Sequence, residues 1–314
     1  MSDAPSATRD LGPNPERSGT ALSGSDIAHF EAIARFAHHA AGLVLSRDKA
    51  PMVLARVGKR MRALGLTSLG DYHALLESDG GDAERSELLF ALTTNVTSFF
   101  RENHHFDILR DRLSSDLAAR ARAGHRIRFW SAGCSTGQEA YSIAMIVLDA
   151  LVDARDHNVR ILATDIDTKV LAQARAGTYD TRQMEMVPKA FVDRYFSRTT
   201  NSGQDHAGSA FYHVKDELRS IVAFRELNLL KDWPMQRPFD AIFCRNVVIY
   251  FDRDTQSRLW PKFAASLNRD GLLFLGHSER IDTDQFPNFC PAGTTVYRTD
   301  QSKSSDARRA SEWR

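Results

Sequence analysis

Between residues 25 and 92 the apolar positions recur every three or four residues, and no stretch alternates long enough to suggest a strand. Ile27, Phe30, Ile33 and Ala37 mark the first apolar face, with Ser25 or Asp26 placed to cap its helix. Gly42 and Gly65 punctuate the segment, so several short helices are predicted. From Arg126 onward the pattern changes. Short apolar runs at 127–133, 159–166, 221–227, 239–245 and 272–278 alternate with helical stretches such as Gln138–Leu151 and Lys169–Ala176, the latter closed by Gly177. Strand and helix in alternation predict an α/β fold, a doubly wound and mostly parallel sheet with helices on both faces. Residues 178–220 break the rhythm and predict a small β-rich, antiparallel excursion.

The expected organisation is therefore a tail at 1–23, a small helical N-terminal domain at 24–92 and an α/β domain at 93–299. A second tail follows at 300–314. Both tails carry few large apolar residues and are expected to be disordered.

Composition narrows the class. The chain has 314 residues, 42% of them hydrophobic and 26% charged, which suits about two domains with sizeable cores. Lys plus Arg is 41 against 40 Asp plus Glu, a formal net charge of +1. That balance disfavours a nucleic-acid binder acting through bulk charge. Cys134, Cys244 and Cys290 are far apart and odd in number, so no disulfide framework and no CxxC metal pair is expected. A reducing compartment, the cytoplasm, follows. No apolar run approaches the roughly 20 residues of a membrane span, and the first residues do not read as a signal peptide.

Ligands of open α/β sheets bind at the carboxyl ends of the strands. Three features converge there. The first run ends in Ser131-Ala132-Gly133-Cys134-Ser135-Thr136-Gly137 and passes into a helix. The second ends in Thr164-Asp165-Ile166-Asp167, and a carboxylate at that point suits a ribose diol. The fourth ends in Arg245-Asn246. The glycine turn alone equally suits a tight connection without ligand. It is not GxGxxG and has no Walker lysine, so S-adenosylmethionine, which needs no phosphate cradle, fits better than a dinucleotide or ATP.

Several blocks closely resemble the chemotaxis receptor methyltransferases, the CheR family. They are LTTNVTSFFRE (92–102), FWSAGCSTGQEAYSIAM (129–145), ILATDIDTKVLAQARAGTY (161–179), FRELNLL (224–230), FDAIFCRNVVIYFD (239–252) and LLFLGHSE (272–279). The resemblance implies transfer of a methyl group from S-adenosyl-L-methionine to receptor glutamates, forming γ-glutamyl methyl esters. It implies cofactor contacts at Asn95, Thr97, Arg101, Glu139, Asp165, Asn228, Leu229, Arg245 and Asn246. Where family members often read Gly-Glu-Glu-Pro-Tyr-Ser, this chain has Gly137-Gln138-Glu139-Ala140-Tyr141-Ser142, keeping the second acid.

Residue chemistry adds roles within that frame. Glutamate is ionised at neutral pH, so the acceptor needs no general base. Arg101 suits a two-pronged hold on either the methionyl carboxylate or the incoming glutamate. Tyr250 suits the lining of the transfer channel, where its hydroxyl would orient the acceptor, the alternative being a core aromatic. Val53–Leu64 reads as an amphipathic helix with Val53, Val57, Met61 and Leu64 on one face. Its Arg56, Lys59, Arg60 and Arg62 are either a solvated flank or, given the implied acidic receptor helix, a docking surface. The pairs His38-His39 and His104-His105, and His277, show no ligand spacing, so no metal is expected. Competing readings are an NAD(P)-dependent oxidoreductase, a non-catalytic scaffold and a methyltransferase on RNA or small molecules. The default assembly is a monomer. Whether residues 178–220 tether to a receptor peptide stays open.

Overall fold

A computed structural model describes residues 24–93, 95–200 and 210–300. The expected tails at 1–23 and 301–314, and the polar loop 201–209, lie outside the described residues.

The helical region is an array of α1 (Gly24–Ala41), α2 (Ala50–Leu64), α3 (Leu69–Glu77) and α4 (Asp82–Leu92). Ser25 and Asp26 fall in the first turn of α1, which begins at Gly24, so the helix starts ahead of the predicted cap. Phe30, Ile33, Ala37, Val53, Val57, Tyr72, Leu76 and Leu88 form its core. The predicted α2 face holds at Val53 and Val57 but not at Leu64, which is 41% exposed. Gly65 ends α2 in the left-handed region at φ 70°, so Leu64 lies on the last turn, beyond the packed face.

Helices α5 (His104–Arg112) and α6 (Ala118–Arg122) lead into a seven-stranded sheet. Its parallel strands are β1 (Ile127–Ala132), β2 (Val159–Asp165), β6 (Val222–Glu226), β7 (Phe239–Cys244) and β8 (Leu267–Leu275). An antiparallel pair that the sequence pattern did not announce, β9 (Phe289–Gly293) and β10 (Val296–Thr299), completes the order β6-β2-β1-β7-β8-β10-β9. Helices α7 (Gln138–Ala150) and α8 (Thr168–Ala176) cover one face, and α11 (Arg253–Ala265) covers the other. α7 is almost wholly buried, which explains its apolar run Ala140–Leu148 with few charges.

The excursion is a separate three-stranded antiparallel sheet. Its strands β3 (Thr178–Asp180), β4 (Phe196–Thr200) and β5 (Ala210–Val214) take the order β3-β5-β4. Helix α9 (Lys189–Tyr195) precedes β4, and α10 (Asp216–Arg219) follows β5. The strand order reverses between β1 and β7, and the carboxyl ends of those strands open onto one pocket.

Candidate active site

The pocket has about 960 Å³ of space, part of it open to solvent. Asn95, Thr97, Arg101, Glu139, Asp165, Asn228, Leu229, Arg245, Asn246 and Tyr250 all line it. Arg56, Lys59, Arg60 and Arg62 do not. The helical region contributes as well: Ala41 and Leu43, at the end of α1, form part of the wall.

The glycine turn shapes the floor. Gly133 sits at φ 90°, and a Cβ there would come within 2.4 Å of the Val247 side chain. Only glycine lets the β1 and β7 ends approach so closely. The left-handed Gly137 then starts α7.

Asp165 ends β2 nearly buried. Its Oδ2 accepts the Ser135 N–H at 2.8 Å and its Oδ1 accepts the Asp167 N–H at 3.0 Å. Burial pushes its carboxyl above the ordinary value despite these bonds. Each oxygen retains acceptor capacity for a ligand hydroxyl. Asn95 Nδ2 donates to Asp167 Oδ2 at 3.0 Å, and the Asn95 carbonyl accepts from Ser135 Oγ at 3.0 Å. The segment before Phe99 is thereby tied to the β1 and β2 turns.

Phe99 and Phe100 are buried and start no helix. Phe100 and Glu102 adopt φ 52° and 55°, so the chain kinks here and α5 begins only at His104. The kink leaves Arg101 at the pocket, where its Nη1 donates to the Val96 carbonyl at 3.1 Å. Among the described residues Arg101 pairs with no carboxylate.

Beneath it lies a buried ion network. Arg245 Nη1 donates to Glu139 Oε2 at 3.1 Å, and Nη2 bonds the Arg101 carbonyl and lies 3.4 Å from Glu102 Oε2. Glu139 Oε1 accepts from Ser131 Oγ at 2.7 Å. Glu102 is a second carboxylate on Arg245, a role that the sequence pattern does not signal. Glu279 has an equally unsignalled role. Its two oxygens accept four backbone N–H groups, from Gly276, Asn246, Val247 and Ile249 at 2.5–3.2 Å. This clamp holds Asn246 in the left-handed region at φ 57° and sets the turn that carries Tyr250. Apart from Gly276, three residues before Glu279, these partners lie far off in the chain, where local spacing gives no signal of them.

Asn228 turns out to be a brace as well as a lining residue: its Nδ2 donates to the Ala40 carbonyl at 2.8 Å and its Oδ1 accepts from Leu230 N–H. Tyr250 is half-buried against the helical core, and its carbonyl accepts the Val44 N–H at 2.9 Å. His38 pairs with Asp252 at 2.6 Å. Among the described residues no group of three or more His, Cys, Asp or Glu could hold a metal.

The basic flank of α2 divides. Arg60 grips Glu84 through two bonds of 2.9 and 2.6 Å and reaches Glu87 at 3.0 Å. Arg56 donates to the carbonyls of Leu92 and Thr93. Lys59 and Arg62 are exposed.

Strand order, a tight glycine turn and an acid at the end of β2 define a nucleoside-binding α/β domain of the S-adenosylmethionine-dependent methyltransferase class. Residues 95–296 match the family model described as "CheR methyltransferase, SAM binding domain", and residues 28–93 match its "all-alpha domain". The chain belongs to the CheR methyltransferase family. It is 46% identical over 258 residues to a probable chemotaxis protein methyltransferase of Rhizobium etli, covering 82% of this chain and 94% of the relative. It is 44% identical over 271 residues to the chemotaxis protein methyltransferase of Escherichia coli K12, covering 86% and 90%.

The pocket suits S-adenosylmethionine on its own chemistry. Carboxylates at Asp165 and Glu139 and an Arg101 without an acidic partner among the described residues match a ligand with a ribose diol, an ammonium and a carboxylate.

Proposed function

We propose that this protein methylates glutamate side chains of chemotaxis receptors, forming γ-glutamyl methyl esters that tune sensory adaptation. The observation that carries the reading is Arg101, a guanidinium without an acidic partner among the described residues, held at the pocket that Tyr250 also lines. S-adenosylmethionine supplies an electrophilic methyl group when bound.

Asp165 would hold the ribose, and Asn95 and Thr97 the entry side. Leu229, Asn228 and Asn246 would line the adenosyl wall, and Glu139 with Arg245 the methionyl end. Arg101 orients a carboxylate, either the methionyl group or the acceptor glutamate, and the Tyr250 hydroxyl steers the acceptor. The acceptor is already ionised, so no side chain must remove a proton. Charge on both partners vanishes as the methyl moves, so the apolar wall that Leu43 and Leu229 contribute favours the step where it excludes water.

Residues 24–92 act as the receptor-docking domain and 93–299 as the methyltransferase domain. Of the basic flank, Lys59 and Arg62 remain available for an acidic receptor helix, whereas Arg56 and Arg60 serve the helical fold. No described helix is long and apolar enough to cross a membrane, and the protein works as a cytoplasmic monomer on the receptors' helical region.

The test is transfer of labelled methyl to receptor-containing membranes. We expect label that is released by mild base as methanol. Base-stable label, or none with a folded, cofactor-binding protein, overturns the reading. Lys59→Glu/Arg62→Glu should slow transfer at low salt without altering S-adenosylhomocysteine affinity. Unchanged rates across salt would leave the flank merely solvated.

A further inference from the structure

We infer that the amino-terminal edge of the sheet, opposite the methyltransferase pocket, is a binding site for a phosphorylated small molecule of the nucleotide class, held by Arg126, Arg128, Arg160 and Arg237. These four side chains line one open cavity of about 660 Å³. The topology gathers them. Arg128 and Arg160 are the second residues of β1 and β2 and are register partners, so two cations stand side by side on neighbouring strands. Arg126 immediately precedes β1, and Arg237 lies just before β7.

Like charges directly opposite in a sheet are destabilising, and the protein supplies little to offset them. The nearby carboxylate, Asp240, already accepts from Arg128 N–H and Asn268 and pairs with Arg120. Arg128 and Arg160 donate to strand-edge carbonyls, Asn158 O and Val159 O among them, which fixes their positions without neutralising them. Arg126 and Arg237 take part in no hydrogen bond or ion pair among the described residues. Burial and the adjoining guanidiniums pull Arg128 down to about 10 and hold Arg126 below its ordinary value. A dianion would relieve all of this. In a chain of net charge +1 the cluster is local and does not reflect general basicity.

The cavity floor specifies the rest of the ligand. Leu162 lies two residues beyond Arg160 on the same face, pairs in register with Ala223, and is joined by Met235. An inorganic anion would leave this apolar floor bare. A nucleotide covers it with its base and presents phosphate to the rim, where guanidinium forks match phosphate geometry.

Calorimetry on the full chain decides the matter, with ATP, pyrophosphate and adenosine as separate probes. ATP should bind with an affinity that falls as salt rises. Arg126→Ala/Arg237→Ala removes two groups with no hydrogen bond or ion pair among the described residues and should weaken ATP by about tenfold or more. S-adenosylhomocysteine should bind that variant as it binds the wild type, which also certifies the fold and keeps this test separate from the pocket. Pyrophosphate should bind more weakly than ATP, and adenosine should not register. The proposal is overturned by no saturable ATP binding, by unchanged ATP affinity in the double variant, or by pyrophosphate binding as well as ATP. It is equally overturned if ATP displaces S-adenosylhomocysteine, or if the four arginines bring the protein down with phosphatidylglycerol vesicles while ATP does not bind.

Discussion

Two arginines in this molecule are built into the same motif, a guanidinium between two glutamates, and they end in different states. Arg60 in the helical region meets Glu84 through a two-pronged contact and Glu87 through its third nitrogen, and Tyr72 Oη donates to Glu84 at 2.7 Å. Among the described residues, no side-chain polar atom of that set is buried without a partner. Arg245 under the pocket meets Glu139 and Glu102, but its Nε, Glu102 Oε2 and His105 Nδ1 are buried without a hydrogen bond among the described residues. A closed network spends its polarity on the fold. An open one beside a cavity keeps polarity in reserve for a ligand or an ordered water, because buried polar groups rarely stay unpaired.

The largest expected effect separates the two sites directly. Arg60→Met and Arg245→Met each strand a buried glutamate without its counter-charge, a loss of about 3–5 kcal/mol in unfolding free energy. Urea titration should show comparable losses. Calorimetry with S-adenosylhomocysteine should then part them: folded Arg60→Met binds as the wild type, and Arg245→Met binds poorly. Weakened binding in Arg60→Met would mean that the helical network reaches the pocket, and the contrast would fail.

A second measurement uses pH. Burial drives Glu84 upward, but the Arg60 and Tyr72 hydrogen bonds and the Arg60 charge outweigh it and hold the carboxyl below 4.5. Glu84 therefore stabilises the fold above pH 4.5, and that stability is lost as pH falls through its folded value. Glu139 is the reverse. Its burial outweighs Arg245, the carboxyl lies above 4.5, and stability falls as pH rises from 4.5 through the folded value. Glu84→Gln should flatten the acid limb of the stability profile, and Glu139→Gln should flatten the decline above pH 4.5. Matching profiles for the two variants would erase the distinction.

The same contrast explains what could be read from the chain. Strand ends, the Gly133 turn and Asp165 were legible because they depend on local periodicity and on one topological rule. The α2 flank was legible only as a set of charges. Whether Arg60 faces solvent depends on Glu84, 24 residues away, and on the α2–α4 packing that buries it. Glu102 and Glu279 lie within the family-like blocks, yet Arg245 reaches Glu102 across 143 residues of chain and Asn246 reaches Glu279 across 33. β9 and β10 escaped because they are short and because Pro291 lies within the outer one, so neither gives a run of alternating apolar residues.

The smallest expected effect tests the open network at its weakest joint. His105 Nε2 lies 3.3 Å from the Thr294 carbonyl, which can only accept, and 3.0 Å from Thr295 Oγ1, which can accept the same proton, so the tautomer that serves both partners carries it on Nε2. Burial and the Arg245 charge lower His105 to about 4, so the ring is neutral at pH 7. Its Nδ1 is then an acceptor, and it lies 3.7 Å from the acceptor Glu102 Oε2. Glu102→Gln replaces that clash with an N–H able to donate to Nδ1, a gain of about 1 kcal/mol. The same change removes the charge facing Arg245 and turns an amide donor toward it, a loss of similar size. The two terms should leave the unfolding free energy within about 1 kcal/mol of wild type by urea titration. Tyr72→Phe in the closed network has no such compensation and should cost more, about 1–3 kcal/mol, by leaving Glu84 short of a donor. If Glu102→Gln proves the costlier of the two, Glu102 is as tightly committed as Glu84, and the network under the pocket is closed after all.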